Sequence, residues 1–163
     1  MFPEFTLALL KESKNNLHTC IETCGYADEE TIRSIAPYAD IFLWDIKETD
    51  PKLHKEYTGV SNGIILKNLE VLNDLNKEIV LRCPVIPGYN DRTEHFVNIG
   101  RIAEKYPSVI GVDVEPYHSM GVLKSENIGC KYALEEVNPP EKDVICQWID
   151  AISENTTKTV NKA

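Results

Sequence analysis

No stretch of this 163-residue chain is apolar for the about 20 residues that crossing a bilayer takes. The opening segment MFPEFTLALLKESK has neither a basic leader nor a small-residue cleavage site, so it predicts no secretory signal and the expected location is cytoplasmic. Basic residues are scarce: 17 Lys and Arg stand against 26 Asp and Glu, a net charge of −9. No basic cluster offsets that balance, which argues against nucleic acid or a membrane surface as partner. Cysteine is sparse and odd in number. Cys20, Cys24, Cys83, Cys130 and Cys146 are scattered, three of them inside apolar strand or helix patterns, unlike a secreted disulfide framework. They are read as reduced thiols. Cys20 and Cys24 stand four apart, as the first two ligands of a CxxxCxxC cluster motif would, but the third position holds Ala27 and the pair lies in an extended run. A second close pair, as zinc would need, is missing, so no metal site is expected within the chain. Internal repeats and low-complexity tracts are also absent.

What remains is an ordinary globular composition, 42% hydrophobic and 26% charged, read as one domain over residues 1–163. Short apolar runs suited to strands occur at 17–24, 40–47, 78–86 and 109–115. Between and after them the apolar residues take a helical period: Ile65, Leu69 and Leu72; Phe96, Ile99, Ala103 and Tyr106; Ile145, Trp148, Ile149 and Ile152. Asp28 before Glu29 and Glu30 reads as a helix cap. Asp91 three before Glu94 has capping-box spacing, and Asn138-Pro139 suits a helix start. Residues 119–137 read as a long irregular connection. Alternating strands and helices predict an α/β fold with a parallel sheet of four strands.

Alternation along each strand sorts the side chains into two faces. Phe42, Trp44 and Ile46 oppose Leu43, Asp45 and Lys47; Leu81, Cys83 and Val85 oppose Arg82, Pro84 and Ile86; Ile110, Val112 and Val114 oppose Gly111, Asp113, Glu115 and Tyr117. In the first strand Leu17, Thr19, Ile21 and Thr23 oppose His18, Cys20, Glu22 and Cys24. One face is thus apolar. The other gathers Glu22, Asp45, Lys47, Arg82, Asp113 and Glu115 toward the carboxyl ends, where barrel-like βα folds build their sites. Each charge alone is as readily a solvated rim or a structural ion pair; six on one face predict a site, because burying unpaired charge is costly. Three loops add chemistry: Ile86-Pro87-Gly88-Tyr89-Asn90-Asp91, a turn that lets backbone approach a ligand; Glu115-Pro116-Tyr117-His118, with an imidazole past a strand end; and Tyr57-Thr58-Gly59-Val60-Ser61-Asn62, where Ser61 or Asn62 is placed to cap a helix.

These segments, with His18-Thr19-Cys20-Ile21-Glu22-Thr23-Cys24-Gly25-Tyr26 and Leu43-Trp44-Asp45-Ile46-Lys47, resemble in order and spacing the glycyl-radical-enzyme activating enzymes of the radical S-adenosylmethionine superfamily. The resemblance implies a partial TIM-like (β/α)6 barrel, with four strands of six. It implies a parent enzyme in which a [4Fe–4S] cluster cleaves S-adenosylmethionine and the resulting 5′-deoxyadenosyl radical takes a hydrogen atom from a glycine of a partner such as pyruvate formate-lyase. By position, Asp45, Lys47 and His118 would contact S-adenosylmethionine, with Arg82 and the Pro87-Gly88 turn lining the same cavity. Glu22 and Thr23 match a pair that in some relatives sits at a monovalent cation. The cluster segment would precede Met1, so the chain reads as a fragment, inactive alone, that self-associates through an exposed edge at its first strand. Two other readings stay open: a Schiff-base lyase of barrel type using Lys47, and a non-catalytic docking module for a partner enzyme.

Overall fold

The computed structural model describes residues 2–129 and 131–163, with side chains for all of these except positions 122–124 and 126. Cys130, counted above among the scattered thiols, lies outside the described residues. Five strands form one parallel sheet in sequence order: β1 (Cys20–Thr23), β2 (Ile41–Asp45), β3 (Glu78–Val85), β4 (Val109–Pro116) and β5 (Thr159–Lys162). Helix α1 (Pro3–Ser13) precedes β1. The later helices fill the crossovers: α2 (Glu29–Ile35), α3 (Pro51–Thr58), α4 (Gly63–Asp74), α5 (Thr93–Lys105), α6 (Met120–Asn127) and α7 (Lys142–Ser153). Strict sequence order with parallel pairing is the progression of a (β/α) barrel, here open at β1 and β5. Among the described residues no helix is long and apolar enough to cross a membrane.

The core follows the alternation. Phe42 and Trp44, then Ile79, Leu81, Cys83 and Val85, then Val112 and Val114 are buried against Leu69 and Leu72 of α4, Ile99 and Ala103 of α5, and Trp148 and Ile152 of α7. Each such side chain contributes about 1.5–3 kcal/mol by leaving water. Gly25, at φ +68°, is required twice over: a Cβ there would meet the Trp44 ring 1.9 Å away. Burial, then the carboxylates of Asp45 and Asp113, push the Cys83 thiol far above its ordinary pKa, which makes it an inert core residue.

The structure departs from expectation in several places. A fifth strand, β5, joins the four expected. Residues 119–137 contain α6 rather than only irregular chain. Ile110, expected on the apolar face, is 48% exposed, because pairing slips from Ile79–Val109 to Val80–Gly111 and leaves it as the extra residue of a bulge. Leu17 lies before β1 and is exposed. Asp28 caps α2 as expected, its carboxylate accepting from the Thr31 N–H at 2.7 Å. The other caps do not hold. Asp91 accepts from the Gly88 N–H instead; Asn62 at the start of α4 makes no capping bond; and α7 begins at Lys142, beyond Pro139.

Candidate functional site

The face of the sheet opposite the apolar core carries the charges, and strand register aligns them. Asp45, Arg82 and Asp113 are direct neighbours on β2, β3 and β4, and Pro84 lies beside Glu115 one step further toward the carboxyl ends. Two ion pairs result. Lys47 Nζ lies 3.1 Å from Asp45 Oδ2, and Arg82 Nη2 contacts Glu115 Oε1. Arg82 Nε is buried and finds no acceptor among the described residues.

Two cavities open at this mouth. The first, about 550 Å³, is lined by Arg82, Glu115, His118, Tyr117, Tyr132 and Leu134 among others. The second, about 600 Å³, adjoins it across Pro84, Ile86 and Leu134 and holds Lys47, Tyr57 and Tyr89. The hydroxyl of Tyr117 donates to the Leu134 carbonyl at 3.1 Å. Its bond with Tyr132, then burial, push its pKa up to about 12, so it stays a neutral donor.

The expected site residues divide. Lys47, Arg82 and His118 line the cavities, the imidazole of His118 exposed at the rim; Asp45 lines neither and is joined to them by its ion pair with Lys47. Glu22 shares their face, paired directly with Leu43, on the edge strand β1. Thr23 does not join it: alternation turns it to the opposite face, where its hydroxyl accepts from the Gly25 N–H at 3.0 Å. Gly88 and Pro87 do not line either cavity; their neighbours Ile86, Tyr89 and Asn90 do. Gly88 adopts φ +79° with open space around it, so its glycine is demanded by the turn rather than by close approach.

Several supporting residues escaped the sequence reading. Glu48, beside Lys47, is 2% exposed. Burial would raise its pKa, but the His95 imidazole, the Asp50 N–H and the Arg92 guanidinium outweigh it and bring the carboxyl down to about 2. Arg92 Nη2 lies 2.8 Å from it and Arg92 Nη1 reaches the Tyr89 carbonyl. Three buried asparagines brace the segments after the strands. Asn68 donates to the carbonyls of Gly25 and Ala27, Asn62 to those of Glu48 and Thr49, and Asn90 to those of Lys47 and Pro84. Their signal was present: Asn62 and Asn90 both lie inside distinctive loops, but a loop asparagine reads locally as a turn or cap residue.

Strands that deliver opposite charges to one mouth of an open (β/α) barrel define a class of cofactor-handling barrel. A family model described as Radical SAM superfamily matches residues 1–99, and the chain belongs to that superfamily. It is 37% identical over 155 residues to the choline trimethylamine-lyase activating enzyme of Oleidesulfovibrio alaskensis, covering 93% of this chain and 50% of that one. It is 34% identical over 147 residues to the pyruvate formate-lyase-activating enzyme of Streptococcus mutans, covering 86% and 56%. The chain thus spans about half the length of the curated relatives it matches. Among solved structures, a domain of pyruvate-formate lyase-activating enzyme from Bacteroides vulgatus superposes with a TM-score of 0.80 over 99% of this chain and 91% of that one. At 21% identity that likeness speaks for the fold. Full-length members of the superfamily use S-adenosylmethionine and a [4Fe–4S] cluster. The described residues gather no three His, Cys, Asp or Glu side chains that could hold a metal, so they do not fit a cluster. The mouth does carry both signs of charge, Lys47 with Asp45 and Arg82 with Glu115.

Proposed function

We propose that this chain is the S-adenosylmethionine-binding portion of an activating enzyme that installs a glycyl radical on a cytoplasmic partner enzyme. The observation that carries the reading is the pair of ion pairs, Lys47–Asp45 and Arg82–Glu115, at adjoining cavities beside His118. An amino-acid zwitterion bearing a sulfonium needs both signs within a few ångströms, and each pair offers both. When bound with its cluster, S-adenosylmethionine supplies the hydrogen-atom abstraction; the chain's residues bind and orient it and keep water out. Asp45 suits an ammonium or ribose hydroxyls, and Lys47 and Arg82 suit a carboxylate or ribose oxygens. Pro84, Ile86 and Leu134 give the mouth an apolar floor between the two cavities, suited to a base. The partner's glycine segment would enter by the same mouth.

Binding is the test. Isothermal titration with S-adenosylmethionine should give weak but measurable affinity, reduced about tenfold by Asp45→Ala or His118→Ala, the loss of one charged or polar contact. Arg82→Ala should cost more, because it also leaves Glu115 unpaired beside the ligand. Affinity indifferent to all three substitutions would remove the assignment. A Schiff-base role for Lys47 finds less support: its amine is ion-paired and half-exposed, whereas an amine nucleophile is desolvated or set beside another cation. Self-association through the β1 edge belongs to the same proposal.

A further inference from the structure

Pro84 interrupts the sheet at an unusual place. It sits inside β3, a strand paired on both sides, where a missing backbone donor removes a rung. The last backbone rung between β2 and β3 is Ile46 N–H to Arg82 carbonyl, 2.8 Å. Two residues on, the backbone of Pro84 faces β2 again, and the N–H that would bond the Ile46 carbonyl does not exist. Lys47 therefore leaves the sheet where the ladder has failed. One side chain spans the gap. Asn90 Nδ2 donates to the Lys47 carbonyl and the Pro84 carbonyl, each at 2.8 Å, while Asn90 Oδ1 accepts from the Ile86 N–H at 2.7 Å. Only 3% exposed, this amide satisfies three backbone groups at once.

We infer that Asn90 is the positioning residue for Lys47: where the β2–β3 ladder ends at Pro84, its amide ties the Lys47 carbonyl to that of Pro84 and so aims the ammonium at Asp45 and the mouth. Its bearing on ligand binding rests on the reading proposed above; its bearing on Lys47 does not. The ligand-free chain supplies the first test. Acetylation by acetic anhydride, read by peptide mass spectrometry, reports how freely Lys47 moves, with Lys67, paired with Glu29 at 3.0 Å, as internal control. Asn90→Ala and the milder Asn90→Ser should raise the Lys47 rate about threefold or more and leave Lys67 unchanged. An unchanged Lys47 rate in a variant with native circular dichroism overturns the inference. If Asn90→Ala does not fold, Asn90→Ser decides. Pro84→Ala, which restores a donor for the Ile46 carbonyl but none for that of Lys47, should leave the Lys47 rate sensitive to Asn90→Ser; insensitivity in that background counts against a direct hold on the Lys47 carbonyl.

The second test separates positioning from plain support. Asn90→Ser should weaken S-adenosylmethionine binding about fivefold in the otherwise unaltered chain and scarcely at all beside Lys47→Ala. Equal losses in both backgrounds would make Asn90 a structural support and overturn the inference. A chain that binds no S-adenosylmethionine would defeat the functional reading, while the acetylation comparison would still decide the role of Asn90.

Discussion

The carboxylate of Asp40, in the turn before β2, accepts from the Thr19 N–H at 2.7 Å and the Thr19 hydroxyl at 2.9 Å, with Lys14 3.5 Å away. The Thr19 bonds are the main reason its pKa falls to about 2. A carboxyl whose folded value lies below the unfolded value of about 3.9 stabilises fully above that value, and the contribution disappears as pH falls through the folded value. Glu48 is lowered to about 2 by its own partners and acts in the same window. Urea midpoints of the parent chain and Asp40→Ala should therefore differ most at neutral pH and draw together as pH falls from about 4 to about 2. A constant gap down to pH of about 2.5 would contradict the role given to this carboxylate. Residue identity alone hid such roles. Asn90 lies 43 positions from the Lys47 carbonyl that it holds, and Asn62 lies 14 from that of Glu48. A side chain that bonds remote backbone carries the same letter as one that caps the next turn, which is why Asn62 and Asp91 were legible as polar loop residues but not by partner. The charges Asp45, Lys47, Arg82 and Glu115 were legible because strand alternation is local and needs no partner to read.

At the level of elements, the four longest-patterned runs became strands within a few residues, and the apolar stripes on α4, α5 and α7 are the buried ones. What failed depends on neighbours. The bulge at Ile110 is set by how β4 pairs with β3, and no pattern within β4 reveals it. β5 is four residues with one half-buried apolar side chain, Val160, and it exists because β4 offers an edge. It also needs an anchor. Glu104 at the end of α5 accepts from the Thr157 N–H at 2.7 Å and from the hydroxyls of Thr156 and Thr157 at 3.0 Å. The Thr157 N–H, then these hydroxyls, hold its pKa below the ordinary carboxylate value, so the anchor weakens as pH falls through that lowered value. Glu104→Ala should speed hydrogen exchange about tenfold across 157–162 and leave β2 and β3 unaffected. Uniform acceleration through the sheet, or none, would mean that β5 is not held in this way.

Across the sheet as a whole, β1 and β5 are the edge strands among the described residues, and the edge at β1 is flanked by exposed apolar groups. Phe2 and, on α1, Phe5 and Leu9 recur at helical spacing, and Leu17 joins them before β1; Phe5 is 68% and Leu17 65% exposed. A bare edge beside such a stripe is an open invitation to pair with another copy. The net charge of −9 opposes that contact over long range, and salt screens the repulsion without touching the apolar surface. Size-exclusion chromatography with light scattering should therefore show self-association that grows with concentration and is stronger in 0.5 M than in 0.05 M salt, on the order of a severalfold shift in the midpoint. Replacing Phe5 and Leu9 together by serine should return the chain to monomer, since both side chains lie on the solvent side of α1 and support no core contact. A parent chain that stays monomeric at high concentration in high salt would show the β1 edge to be self-protected. Association that persists unchanged in the double variant would move the contact to the β5 edge, where Lys162 and the exposed polar face of Thr159 and Asn161 make apolar pairing unfavourable.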